Sequence, residues 1–172
     1  TDPWKVLVAV MLLNKTAGRV AIPIFFDVMD RWPTAQAMAE ADVDEVFDCI
    51  KCLGLGNQRA KRLVELSRMY LDHPPVPFQG LECKNIRDFS PISHLPGSGQ
   101  YAIDSYRIYC GGEDEWRDVR PKDKELIRYL KWRWALEGLH WTPEEGVIGS
   151  AEPSYLDGLV EQLILFDPYK GL

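Results

Sequence analysis

A chain of 172 residues with 46% hydrophobic residues and six tryptophans can bury a sizeable core, and it suits one domain or one bilobed unit. No apolar run approaches the roughly 18 residues of a spanning helix. No charged-then-apolar leader opens the chain either, and Thr1-Asp2-Pro3 reads as a cut into a longer protein, so a soluble intracellular domain is expected. The net charge of −6 argues at first sight against nucleic acid. From Glu137 onward, however, seven acidic residues face the single Lys170, whereas residues 1–136 balance at nineteen of each sign.

Asp2-Pro3 is a helix start, an acceptor followed by proline at the first helical position, and the apolar spacing predicts a helix through Asn14. A second helix is expected over Ala17–Arg31, with Pro23 marking its true start or a kink. Trp32-Pro33-Thr34 breaks it, and a short alanine-rich helix follows to about Ala41. Asp42-Val43-Asp44-Glu45 is a capping box that opens a helix to about Leu53. Gly54-Leu55-Gly56 is a glycine-flanked turn, and Gln58–Leu71 is the next helix, with Arg59, Lys61, Arg62 and Arg68 assigned to its exposed face. His73–Ser90 reads as a proline-rich loop, Gly111–Arg120 as a polar connection and Lys122–Leu136 as a helix. Leu139–Ser150 reads as loop before a final helix from Glu152-Pro153 to Phe166. The chain is nearly all-α, without internal repeats.

The four cysteines (Cys49, Cys52, Cys83 and Cys110) lack the spacing of a zinc or iron–sulfur site, so buried free thiols are expected. Neither a nucleophile elbow nor a P-loop is present. Two glycine turns, each opening a helix, remain. In the second, Pro91–Leu95 and Gln100–Cys110 form the arms of a helix–hairpin–helix around Gly97-Ser98-Gly99. A sharp glycine turn leaves the first amides of the next helix free, and these suit a phosphate. Plain helix caps explain the same pattern without any ligand.

The ordered set Asp2-Pro3-Trp4-Lys5, Leu13-Asn14-Lys15-Thr16-Ala17-Gly18, Ala21-Ile22-Pro23, Leu53-Gly54-Leu55, Arg59-Ala60-Lys61, Tyr101, Asp104-Ser105-Tyr106-Arg107-Ile108 and Pro121-Lys122-Asp123 resembles the helix–hairpin–helix (HhH-GPD) DNA glycosylase superfamily. Within it, the branch of mismatch-specific thymine/uracil glycosylases linked to a methyl-CpG-binding domain is the nearest in pattern. The resemblance covers residues 2–136 and implies an all-α, bilobed glycosylase fold without an iron–sulfur cluster. It places a glycosylase domain at 1–136 and an acidic extension at 137–172, which packs on the core, binds a protein partner or repels DNA. It further implies a nuclear, monomeric base excision repair enzyme acting on double-stranded DNA with a G·T or G·U mismatch, and no metal or cofactor.

The resemblance also assigns roles by position. Asp123 matches the catalytic aspartate, for which a carboxylate beside developing positive charge at C1′ is the right group; a helix N-cap is the plain alternative. Tyr101 stands where bifunctional relatives carry a Schiff-base lysine, which implies a monofunctional enzyme with tyrosine lining the base pocket; an ordinary core tyrosine is its alternative. Lys15 replaces the family's arginine finger and loses the planar fork, and a solvated lysine after a helix end is equally expected. Leu55, between Gly54 and Gly56, is the wedge that fills the gap left by a flipped base. Gly97, Ser98 and Gly99 offer amides to a phosphate. Asp104, a helical turn into the second arm, is structural. A non-catalytic DNA-binding or protein-interaction domain on the same fold is the rival reading of the whole.

Overall fold

The computed structural model describes residues 1–76 and 90–165, so most of the expected His73–Ser90 loop lies outside the described residues. The described chain is mostly helical, with one small hairpin. It forms two compact units, Thr1–Arg117 and a second from Asp118 onward. The division falls ahead of the helix Lys124–Leu136, inside the 1–136 stretch read from sequence as one domain.

Among the described residues, six α-helices build the first unit: α1 (Pro3–Leu13), α2 (Gly18–Arg31), α3 (Ala35–Glu40), α4 (Val43–Ile50), α5 (Gly56–Asp72) and α6 (Gln100–Tyr109). Their starts follow from local chemistry. Asp2 Oδ1 accepts the Trp4 and Lys5 amides, Thr34 Oγ1 accepts from Ala37, and Asp42 Oδ1 accepts from Asp44 and Glu45. Pro23 lies inside α2, which runs from Gly18 without starting afresh at the proline. The helix expected to reach Leu53 stops at Ile50, and Lys51–Leu53 tighten into a 3-10 turn.

α1 is the central element, packed against α2, α5 and α6, while α5 packs against α3 and α4. Trp4, Val8 and Leu12 of α1 are buried with Leu63, Val64 and Leu66 of α5 in a single apolar cluster. Trp4 Nε1 donates to Ser67 Oγ at 2.9 Å, and that hydroxyl donates to Leu63 O at 2.8 Å. Without Ser67, the buried indole N–H would cost about 1–3 kcal/mol.

Among the described residues, the expected first arm of the helix–hairpin–helix, Pro91–Leu95, is not a regular helix. Residues 91–97 form consecutive turns, with Ser93 N–H donating to Ser90 O and Leu95 N–H to Ile92 O, and only the second arm, α6, is a helix. Too few residues separate Ser90 from Gly97 to form more than a turn or two, and proline occupies two of them. The connection after α6 holds a 3-10 turn, Glu115–Asp118, that buries Trp116. Arg107 Nε meets Glu115 Oε1 at 3.1 Å across it.

The second unit contains α7 (Lys124–Leu136), strands β1 (Leu139–Thr142) and β2 (Gly146–Ser150), and α8 (Pro153–Leu165). The loop expected over 139–150 is therefore an antiparallel hairpin, with His140 opposite Gly149, Trp141 opposite Val147 and a bulge between His140 and Trp141. Gly138, at φ +75°, ends α7 in the left-handed cap typical of glycine. α7 packs on β1 and α8, and Trp141 is fully buried. Cys49 and Cys110 are half-buried and Cys52 is exposed, all as free thiols; the expectation that the thiols are buried fails at Cys52, beyond the end of α4. Cys83 lies outside the described residues.

Candidate nucleic-acid interface

Lys15 and Leu55 share an uncommon backbone state. They are the only non-glycine residues at positive φ among those described, at +58° and +51°. For an L-residue this left-handed conformation costs about 1–2 kcal/mol, and such strain persists where the surroundings hold it. Leu55 is also 68% exposed, so packing of its side chain does not compensate.

Each residue is held from both sides. Lys15 sits in the short connection between α1 and α2, where Thr16 N–H donates to Leu13 O at 2.9 Å. Leu55 is the N-cap of α5, its carbonyl accepting the Gln58 and Arg59 amides at 3.0 Å. Gly54 before it has φ +73°, and Gly56 after it lies flat against α4. A Cβ on Gly56 would stand 2.8 Å from the Phe47 ring and 3.2 Å from Lys51 Cα. Gly56→Ala is therefore expected to destabilise the fold by about 1–3 kcal/mol through overpacking, read as a lower midpoint in denaturant unfolding.

Lys15, Leu55, Gly97, Gly99 and Tyr101 line one cavity of about 350 Å³, within the size range of small-ligand pockets. Arg59 and Arg62 add positive charge to its wall, and Asn14, Gln58 and Gln100 add carboxamides; none of the described lining residues is acidic. Such a wall suits an anion with planar hydrogen-bonding groups. Tyr101 is half-buried and packs its ring against the core while facing the cavity.

The glycine turn differs from its sequence reading. Ser98 N–H already donates to Leu95 O at 3.3 Å, and Gly99 N–H to Gly97 O at 2.8 Å. Two of the three amides expected to meet a phosphate are thus used within the turn, because the chain must reverse there with its own bonds closed. One step on, Gly99 caps α6 with no side-chain bond, and its carbonyl accepts the Ile103 amide at 3.0 Å. Gly97 needs its glycine for φ +86°, whereas Gly99 has ordinary backbone and open space around it.

The sequence pattern places Arg59 on the exposed face of α5, and the structure corrects this. It is only 9% exposed and points inward, while Lys61 and Arg62 stay on the outer face. The signal was present in the spacing: Arg59, Leu63 and Leu66 recur at i, i+4 and i+7, one face of a helix. Asp104 is buried and accepts Gln100 Nε2 at 2.8 Å. Burial raises its carboxyl above the ordinary aspartate value, and the Gln100 bond and the charge of Arg107 partly offset this.

Asp123 belongs to the second unit and is the N-cap of α7. Its Oδ1 accepts the Glu125 and Leu126 amides at 3.0 and 3.1 Å, and Oδ2 takes neither. Three residues earlier, the Arg120 guanidinium lies 5.5 Å from the centre of the Trp141 ring, and a Cβ on Gly146 would meet Arg120 Nη2 at 3.0 Å. The hairpin missed from sequence thus grips the segment that leads to Asp123.

Residues 8–147 match the profile of the HhH-GPD superfamily base excision DNA repair proteins. The chain belongs to this superfamily. This HhH-GPD chain is 34% identical over 128 residues to a methyl-CpG-binding domain protein 4-like protein of Arabidopsis thaliana, covering 74% of the chain and 25% of that protein. It is 33% identical over 131 residues to the thymine-DNA glycosylase of Aeropyrum pernix, covering 76% and 53%. The same identity and length hold for the thymine/uracil-DNA glycosylase of Pyrobaculum aerophilum, at 76% and 52%. The HhH-GPD chain therefore spans between a quarter and about half of the length of these relatives.

Proposed function

We propose that this chain is a monofunctional DNA glycosylase that hydrolyses the N-glycosidic bond of thymine or uracil opposite guanine, in nuclear base excision repair. The observation that carries the reading is the pair of strained, exposed residues, Lys15 and Leu55, beside one cavity with no acidic group among its described lining residues. Backbone strain beneath two exposed side chains suits side chains presented for insertion into a duplex. The names of the archaeal relatives favour the same substrates.

In this reading Leu55 enters the base stack and Lys15 holds the distorted strand as a point charge. The flipped base occupies the cavity against Tyr101. The phosphate of that strand meets Gly97 and the first turn of α6. Asp123 supplies fixed negative charge as the sugar becomes oxocarbenium-like, and it orients the water that completes hydrolysis. Tyr101 cannot form an imine, so no covalent sugar adduct arises at that position. The protein works as a monomer on mismatched double-stranded DNA.

Single-turnover assays on G·T and G·U duplexes test this directly. The expected product is an abasic strand that breaks only after hot alkali. Spontaneous nicking with an adduct trapped by borohydride would refute the monofunctional mode, and an intact base after prolonged incubation would refute the enzyme.

A further inference from the structure

Arg59 is a cation buried without an acidic partner among the described residues. Its guanidinium is satisfied instead by three oxygens at the end of α1 and in the loop after it: Nη1 donates to Leu12 O at 2.7 Å, and Nη2 donates to Asn14 O at 2.8 Å and Thr16 Oγ1 at 2.9 Å. Leu12 O is among the last carbonyls of α1, which have no partner within the helix and carry the negative end of its dipole. A cation is therefore a fitting cap for them. The second and third acceptors bracket Lys15, the residue held at φ +58°. At its other end, the Arg59 backbone N–H donates to Leu55 O at 3.0 Å, the carbonyl of the other left-handed residue.

We infer that Arg59 is a positioning residue: one buried side chain ties the Lys15 loop to the helix start that carries Leu55, so that finger and wedge meet the duplex as a rigid pair. The inference rests on reading Lys15 and Leu55 as the groups that enter DNA. It explains why an arginine is buried here at all, since a cation in an apolar core is costly unless its bonds are placed elsewhere to advantage. It also explains why lysine would serve poorly: a single ammonium cannot span the separate acceptors that a planar fork reaches.

The test uses Arg59→Lys, with Thr16→Val as the milder variant that removes one acceptor and leaves the guanidinium in place. Excision of uracil opposite guanine is measured for each in the parent chain and in a Lys15→Ala background. Arg59→Lys is expected to lower kcat/KM about tenfold, and Thr16→Val about threefold, in the parent, with less than about twofold change once Lys15 is absent. Amide hydrogen exchange at Lys15 and Thr16 in the free protein is expected to quicken in both variants. Equal losses in the two backgrounds would mean that Arg59 serves the fold alone, and unchanged exchange at Lys15 and Thr16 would mean that it does not hold the loop; either result overturns the inference. Wild-type protein that excises neither base would refute the glycosylase reading by itself, and the exchange rates would still decide whether Arg59 fixes the loop.

Discussion

Asp123→Asn is expected to lower the single-turnover rate on a G·U duplex by at least about 10²–10³-fold while leaving the melting temperature nearly unchanged. The two halves of this result separate the two roles of the residue. As a cap, Asp123 offers Oδ1 to the Glu125 and Leu126 amides, and asparagine caps helices about as well. As the proposed catalytic group it supplies negative charge to the sugar, which a neutral carboxamide cannot do. Asp123→Ala is the poorer experiment, because it also removes the cap, at about 1 kcal/mol. A carboxamide variant that excises at the wild-type rate would reduce Asp123 to a helix cap and leave a non-catalytic DNA-binding domain as the better account.

The second large effect runs in the opposite direction for stability and activity. Leu55→Gly is expected to leave the folded state unchanged or more stable by up to about 1 kcal/mol, because glycine relieves the left-handed strain at φ +51°. The exposed side chain contributes little burial to offset that gain. Excision is expected to fall about tenfold to a hundredfold, since the energy that holds a base out of the stack, a few kcal/mol, loses its wedge. Lys15→Gly, relieving φ +58°, is expected to behave alike, and 2-aminopurine fluorescence beside the lesion reports the lost flipping in both variants. A variant that loses stability but keeps its excision rate would show that these residues serve the turn and nothing else.

Much of the helical framework could be read from local chemistry. Asp2, Thr34, Asp42 and Asp123 each accept amides of the helix that follows them, a bond set by the identity of one residue and the two or three after it. Family membership was likewise legible in the order of short motifs, and it is confirmed by the match over residues 8–147. The hairpin over 139–150 was not legible: strands of four and five residues owe their state to pairing and to what covers them, and Trp141 is buried where β1 lies on α7. The use of Ser98 and Gly99 amides within their own turn also escaped a reading that counted free amides from helix starts alone.

The candidate site divides along the same line. Residue identity and order alone mark which side chains have unusual chemistry for their place: a leucine between glycines, a lysine after a helix end, a tyrosine where a nucleophilic lysine would stand, and an acceptor before a helix. Packing brings Lys15, Leu55 and Tyr101 to one cavity wall, strains both Lys15 and Leu55, and turns Arg59 inward to join them. The two differ in range. Caps and turns are closed by bonds between near neighbours, whereas the Arg59 guanidinium finds its acceptors more than forty residues away, where no local pattern can announce them.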